Sequence, residues 1–242
     1  MIEPGQGTGR SQRGITGLET AIILIAFVVV ASVFAFTVLS TGIFTSEKSK
    51  ETVHAALQEA RSTLEPRGSV TAFRARYGVG ATTETVFKVS LVVAQSVSGE
   101  PIDLTPPYSA DGLTTDPDVV SGAQYRTVIT YSDTRQHISD VPWTVNWLGF
   151  TNGDNVLDQG EKAEISLWLL DRLNGVTSPD SDNSLGIMDG SGGGGGTGGI
   201  ASTSTVLGVN DKFVVEVQPP TGAVLTLERT LPGRLTRVID LK

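Results

Sequence analysis

The chain contains no cysteine and only two histidines among its 242 residues. The absence of cysteine excludes disulfide bonds, a thiol nucleophile and a cysteine-based metal site. The two histidines, His54 and His137, lie far apart and have no second histidine at the spacing of metal ligands. Each is therefore expected on the surface or in ordinary packing, and the sequence gives little support to histidine-based catalysis.

Clustered positive charge is also missing. The chain has 18 Lys and Arg against 26 Asp and Glu, which leaves a formal net charge of -8. Nucleic-acid binding requires Lys and Arg concentrated on one surface, so this composition argues against it. The glycine-rich stretch Gly190–Gly199 lacks the Gly-Lys-Ser/Thr ending of a phosphate-binding loop and predicts an exposed loop on the outer surface.

One long hydrophobic segment dominates the N-terminal region. Ile15 to Phe44 contains no proline and a single ionisable group, Glu19. An amphipathic pattern continues to Leu64, and Pro66 stops it, so the sequence predicts one helix over residues 15–66. Its apolar part exceeds the ~20 residues that span a bilayer. A helix that is apolar on all sides must be buried in lipid or among other helices.

The residues before this segment form a short leader with arginines at 10 and 13. An ordinary secretory signal is cleaved after its apolar region. Here the small residue Gly14 comes before that region. Cleavage between Gly14 and Ile15 would remove residues 1–14 and keep the hydrophobic helix on the mature protein.

Glu19 places a carboxylate in the apolar helix, and a simple membrane anchor has no need of one. A carboxylate inside an apolar membrane helix costs roughly 2.5 to 3.5 kcal/mol on insertion scales. Cleavage before Ile15 would create an amino group four residues from Glu19, and pairing the two charges would lower the cost of burying them. The amine could belong to the same chain or to a neighbouring subunit.

Residues 14–27, Gly-Ile-Thr-Gly-Leu-Glu-Thr-Ala-Ile-Ile-Leu-Ile-Ala-Phe, resemble the start of archaellins, the archaeal flagellins, whose processing is similar to that of type IV pilins. The segments 56–60 and 64–70 are similar to the end of the archaellin helix and its entry into the head domain. Residues 215–224 and 228–232 also resemble the family. The leader departs from the pattern, because no Lys-Lys or Lys-Arg pair precedes Gly14.

The resemblance implies a non-enzymatic structural subunit of an extracellular swimming filament, the archaellum. It implies transient insertion in the cell membrane, cleavage by a prepilin-peptidase-like enzyme, and assembly by an ATPase and a membrane platform protein. The partners within the filament would be copies of the same chain. The expected assembly contacts are in the N-terminal helix: Glu19, Ile22, Ile25, Phe27 and Phe34.

Short strand patterns replace the helical pattern after Ser69. Segments near residues 85–97, 125–131, 163–170, 212–217, 223–228 and 235–241 are rich in β-branched residues and are separated by Gly, Pro, Asn and Asp. They predict an antiparallel β-sandwich or barrel as a head domain over residues 69–242. The fold class is therefore α+β. Trp143, Trp147 and Trp168 are expected to pack in this domain.

The segment from residue 152 to residue 161 carries the only pattern typical of ligand chemistry. Its oxygen-bearing side chains suit Ca²⁺ or Mg²⁺, although the spacing is not that of an EF-hand. The resemblance to archaellin heads that bind metal supports this interpretation, and a metal-free turn between strands is the alternative. The candidate ligands are Asn152, Asp154, Asn155, Asp158 and Glu161.

Two other functions remain compatible with the sequence. The first is an adhesive type IV-like pilus subunit, in which the loops over residues 99–122 and the glycine-rich stretch contact surfaces. The second is a membrane-anchored extracellular binding protein, whose helix stays in lipid. Glu19 and the archaellin-like segment 64–70 favour the swimming filament, and nothing in the sequence marks a ligand pocket for the anchored protein.

Overall fold

The computed structural model describes residues 13–61, 63–77, 83–96, 100–110, 117–172, 185–188 and 197–242. The predicted leader therefore lies almost wholly outside the described residues, as does most of the glycine-rich stretch. The chain divides into two compact units, Met1–Ala55 and Ala56–Lys242.

The N-terminal helix, α1 (Arg13–Arg61), has 49 residues and is about 74 Å long at 1.5 Å per residue. It ends earlier than the predicted limit of residue 66, because Leu64–Pro66 forms a strand instead. Leu64 continues the apolar spacing of the helix, but it pairs with Gln95 and is only 3% exposed. Burial in the head domain thus prevails over the helical pattern.

Within the described residues, sixteen strands follow the helix, and most of them are short. In chain order they are β1 (Leu64–Pro66), β2 (Val70–Tyr77), β3 (Thr83–Gln95), β4 (Ile102–Asp103), β5 (Tyr108–Ser109), β6 (Asp118–Val119), β7 (Val128–Asp133), β8 (His137–Ile138), β9 (Trp143–Trp147), β10 (Val156–Leu157), β11 (Ala163–Trp168), β12 (Asp171–Arg172), β13 (Leu185–Gly186), β14 (Lys212–Gln218), β15 (Leu225–Thr230) and β16 (Val238–Leu241).

The strands form two large sheets and two small ones. The larger sheet has the order β12-β13-β2-β3-β11-β9, with β1 also paired to β3 and β16 to β2; the second has the order β15-β14-β7-β8. β4 pairs with β10, and β5 pairs with β6. Neighbouring strands are antiparallel except for β13 beside β2. The predicted α+β class, with a long helix followed by antiparallel sheets, is confirmed.

One hydrophobic cluster contains buried side chains from both large sheets, so the two sheets share one core. Tyr131 and Phe213 stack within this cluster with their ring centroids 6.1 Å apart. Trp143 and Trp168 are buried, and Trp147 is half-buried against the core. The three tryptophans therefore pack in the head domain as predicted.

A polar cluster secures the turn between β7 and β8. The Asp133 carboxylate accepts hydrogen bonds from the Tyr131 hydroxyl at 2.7 Å, from the Arg135 N–H at 2.7 Å, and from the side chain and N–H of Gln136 at 3.0 and 3.1 Å. Burial disfavours the charge, but these bonds outweigh it and hold the pKa of Asp133 below its usual value. Arg135 also forms an ion pair with Asp211, which ties this turn to the segment before β14.

Candidate functional site

The candidate assembly surface is the apolar part of α1. Ile22, Ile25, Phe27 and Phe34 are 58%, 62%, 73% and 70% exposed. Every described side chain from residue 17 to residue 57 is exposed. The helix is also long and apolar enough to cross a membrane. The structure thus places the four predicted apolar contacts among the exposed side chains of α1.

These four residues do not lie on one face of the helix. At 100° per residue, Phe27 and Phe34 lie within about 20° of each other, whereas Ile25 lies about 160° away from Phe27. A single partner helix would bury only one of these faces. Complete burial of α1 therefore requires lipid or several neighbouring helices.

Several hydroxyl groups within α1 donate to carbonyl oxygens of the same helix. The side chains of Thr37, Thr41 and Thr45 donate to the carbonyl oxygens of Phe34, Thr37 and Thr41, each at 2.8 Å. Ser49 and Thr52 donate in the same manner to residues one turn earlier. Because these five hydroxyl groups already have acceptors, they lower the cost of placing the helix in an apolar environment.

Glu19 differs from these residues, because a carboxylate has no proton to donate to a helix carbonyl. It is exposed in the second turn of α1. Helical side chains lean towards the N-terminus, so Glu19 covers the turn that contains the backbone of Ile15. The backbone of Gly14 and Ile15 is helical, and the side chains of residues 13–16 lie outside the described part of the chain.

The candidate metal loop is held closed by Glu161. This residue is 3% exposed, and its two carboxylate oxygens accept hydrogen bonds from the backbone N–H groups of Asn152 and Asp158, at 2.9 and 3.0 Å. Gly153 and Gly160 adopt φ of 91° and 89°, which a side chain would strain. Glu161 thus fixes both ends of the turn from the inside.

Two other predicted ligands converge on the side chain of Asn152. Its amide nitrogen donates to Asp154 Oδ2 at 3.1 Å and to Asp158 Oδ2 at 2.9 Å. Asn152 Oδ1 accepts from the Asp154 N–H at 3.0 Å. The side chain of Asn155 is exposed, and its carbonyl oxygen accepts from the N–H of Leu104. The loop therefore brings the carboxylates of exposed Asp154 and half-buried Asp158 to one hydrogen-bond donor.

This donor set fits a hard cation only in part. Ca²⁺ requires six to eight oxygen ligands, and the Glu161 oxygens are engaged by backbone donors. Within the described residues, no group of three or more His, Cys, Asp or Glu side chains is arranged to hold a metal ion. The structure brings Asn152, Asp154 and Asp158 together, and it directs Glu161 and Asn155 elsewhere.

Sequence reasoning missed two features of these sites. It interpreted Glu161 as a candidate ligand, although the residue lies two positions before β11 and reaches back to the start of the loop. It also overlooked the internal bonding of Thr37, Thr41, Thr45 and Ser49, whose spacing of four residues was a readable signal.

Comparisons with known proteins extend over most of the chain. The family model for archaeal-type flagellin matches residues 14–229. Probable flagellin 1 of Archaeoglobus fulgidus is 30% identical over 237 residues and 96% of each chain. Probable flagellin 2 of the same organism is 32% identical over 95% of this chain and 94% of its own length. The archaeal flagellum of Methanospirillum hungatei strain JF1 matches with a TM-score of 0.51 at 21% identity, over 93% of this chain and 98% of that one, which shows a shared fold.

Glu161→Gln should destabilise the head domain by about 1 to 3 kcal/mol, because the amide leaves one buried N–H group without an acceptor. Urea unfolding of the full chain in detergent, followed by tryptophan fluorescence, measures this loss. Glu164→Gln is the matched control, since Glu164 only accepts a long bond of 3.4 Å from Asn146. Equal midpoints for the two variants would contradict the role of Glu161 as the loop anchor.

Proposed function

Because this chain belongs to the archaeal-type flagellin family, we propose that it is cleaved after Gly14 and then polymerises through α1. The family membership makes the protein a structural, non-enzymatic subunit of the extracellular filament of the archaeal flagellum. It favours this function over an adhesive pilus subunit and over a membrane-anchored binding protein.

The exposed apolar surface of α1 is the observation that carries this proposal. Each large aliphatic side chain contributes roughly 1.5 to 3 kcal/mol when it is fully buried. Such side chains surround the helix between Leu18 and Phe44. The head domain has its own hydrophobic core in the second compact unit. The natural partners of α1 are therefore lipid before assembly and the helices of other copies afterwards.

The apolar surface of α1 also explains the expected order of membrane insertion, leader cleavage and assembly. Transient insertion in the cell membrane would shelter the helix while a prepilin-peptidase-like enzyme removes residues 1–14. An assembly ATPase and a membrane platform protein would then move the subunit into the filament. The helix is long enough for both environments. The peptidase, the ATPase and the platform protein are expected from the family resemblance, together with the need to keep α1 buried.

Glu19 acts in this proposal as the charged partner of the amine at Ile15. An unpaired buried carboxylate costs several kcal/mol, so a paired one favours the processed chain over the unprocessed chain during assembly. The new terminus also lies beside the positive end of the helix dipole, which further favours a carboxylate in the first turns of the mature helix. Processing and assembly are thereby coupled.

For the loop from residue 152 to residue 161, we propose that Ca²⁺ or Mg²⁺ takes the place of the Asn152 amide donor between Asp154 and Asp158. The convergence of these two carboxylates on one nitrogen supports the proposal. Asn152 would supply a further oxygen atom, and Glu161 would keep the loop closed. A cation bound there would neutralise part of the acidic charge of the loop.

Ile25→Asp should abolish filament formation, because it places a charge on the buried surface of the helix. Electron microscopy of sheared filaments measures assembly, and mass spectrometry should find Ile15 at the N-terminus of the wild-type subunit. Ile25→Val is the matched control and should assemble. Normal filaments from Ile25→Asp would contradict assembly through α1, and an intact leader in the filament would contradict the cleavage.

Glu19→Gln should slow assembly, since the amine of Ile15 loses its charged partner while the side chain keeps its size. The rate of filament regrowth after shearing tests this prediction. Glu47→Gln removes a carboxylate from the polar part of the same helix and should regrow normally. If Glu19→Gln filaments regrow at the normal rate and with normal subunit spacing, Glu19 does not act as the partner of the Ile15 amine during assembly.

Addition of Ca²⁺ or Mg²⁺ should release heat in calorimetry of the full chain in detergent and should raise the melting temperature of the head domain. A chelator should reverse the effect. The variant Asp154→Asn with Asp158→Asn should show neither response, whereas Asp118→Asn, remote in the sequence, should respond normally. Absence of heat with both ions, and of any effect of the chelator on melting, would exclude the site.

A further inference from the structure

Asn152 differs from the other described asparagines because glycine follows it in the chain. The residues after Asn146, Asn155 and Asn210 are tryptophan, valine and aspartate. Asparagine is among the thermolabile residues of proteins. Its side-chain amide is attacked by the backbone nitrogen of the next residue, and this attack is least hindered when that residue has no side chain. Asn152 is therefore the described asparagine that is best suited to loss of its amide.

This reaction involves only Asn152, Gly153 and water. The Gly153 nitrogen forms a bond to Asn152 Cγ while the bond from Cγ to Nδ2 breaks, and the amide leaves as ammonia with the proton of the Gly153 N–H. The product is a cyclic imide. Water then opens the imide at either of its ring C–N bonds, which gives aspartate or isoaspartate at position 152. The reaction needs no oxidant or reductant.

Both reacting residues are accessible to water and have room for the imide. Asn152 and Gly153 are exposed. A Cβ atom added at Gly153 would meet no heavy atom within 4 Å beyond the neighbouring residues of the chain. The ring can therefore form on the outside of the loop without displacing other parts of the head domain.

The closed loop holds the amide away from this reaction. Asn152 Nδ2 donates to the carboxylates of Asp154 and Asp158 at 3.1 and 2.9 Å, and Asn152 Oδ1 accepts from the Asp154 N–H at 3.0 Å. The N–H of Gly153, whose proton has to leave, donates to Thr151 Oγ1 at 3.2 Å. Turning the amide towards Gly153 breaks its three bonds, and the two carboxylates oppose the negative charge that develops during the attack. The closed loop should therefore slow the reaction.

Glu161 determines whether the loop stays closed. Its buried carboxylate accepts hydrogen bonds from the N–H groups of Asn152 and Asp158, at 2.9 and 3.0 Å. Surface segments with few buried contacts open locally at a lower free energy than the whole domain. Most residues from 151 to 160 are exposed, so this loop is such a segment. Breaking the two Glu161 bonds frees the Asn152 amide while the head domain remains folded.

The product cannot restore the closed arrangement. An aspartate at position 152 places an oxygen where Nδ2 joined Asp154 and Asp158, so three carboxylates meet and no donor remains between them. Like charges at this separation oppose one another. Isoaspartate lengthens the main chain before Gly153 and shifts the N–H groups that follow it. Loss of the amide therefore turns a reversible opening of the loop into a permanent one.

We propose that Asn152 is a modification site, at which hydrolytic loss of the amide is controlled by the loop that Glu161 closes. The closed loop preserves the amide, the open loop loses it, and the modified loop stays open. This inference goes beyond the filament function. It is also independent of the proposed cation site, because the reaction involves only Asn152, Gly153 and water.

Glu161→Gln should accelerate the loss of the amide by about fivefold or more, because it weakens the closure of the loop. The full chain is kept folded in detergent with a chelator, so that no cation contributes. Mass spectrometry of the peptide that contains Asn152 measures the conversion to aspartate and isoaspartate over time. Glu164→Gln should react at the wild-type rate. Ile129→Val, which weakens the fully buried core without altering the loop, should do the same.

Unfolding of the wild-type chain provides a comparison that needs no variant. In urea, Asn152 should lose its amide about fivefold or more faster than in the folded chain. Asn174, which glycine also follows, is the reference for the dipeptide in the same urea sample. Equal rates in the folded and unfolded chain would overturn the protection by the loop. Equal rates in wild type and Glu161→Gln, or equal acceleration by Ile129→Val, would overturn the control by Glu161.

Asn152→Asp tests whether the modified loop stays open. With a chelator present, the Asp158 amide, which donates to Glu161 in the closed loop, should exchange its hydrogen about tenfold or more faster in this variant than in wild type. Asn155→Asp adds the same charge to the same loop at an exposed side chain and should exchange normally. Normal exchange in Asn152→Asp would overturn the permanent opening.

Discussion

The burial of α1 is the constraint on which the rest of this molecule depends. The helix is apolar on opposite faces, as the positions of Ile25 and Phe27 illustrate, and its described side chains are exposed in the single chain. Hydrophobic burial is not directional, so lipid and neighbouring helices can satisfy the same surface. The internal bonding of Thr37, Thr41 and Thr45 lowers the cost of burying these polar side chains in either environment. A helix of this kind can move from membrane to filament without changing its conformation.

The head domain meets a different requirement, since it has to fold around its own core. Buried side chains from both large sheets form one cluster. Trp168 donates to Thr144 and Ser90 bonds to Ser166, whereas the buried indole N–H of Trp143 has no hydrogen-bond partner among the described residues. Glu161 is also paired, because its buried carboxylate accepts hydrogen bonds from two backbone N–H groups and so closes the loop. Stability of the head and assembly of the helix therefore depend on different residues.

The sequence predicts features that depend on adjacent residues better than features that depend on residues far apart in the chain. The helix and the main strands follow from periodicity, because each pattern is contained in adjacent residues. The helix was predicted to end at residue 66 instead of Arg61, since apolar Leu64 fits both a helical stripe and a strand paired with Gln95. The role of Glu161 was missed for a related reason. A carboxylate in an Asp- and Asn-rich segment looks like a ligand until the positions of the backbone donors are known.

The order of the strands in each sheet is even harder to predict from the sequence. Nothing in the residues of β9 indicates that it ends a sheet, because that depends on β11 being its paired neighbour among the described strands. The pairing of β11 with β9 and β3 brings Trp168 beside Thr144 and Ser166 beside Ser90, residues that are 24 and 76 positions apart in the chain. Such contacts depend on strand order, which no local pattern of residues records.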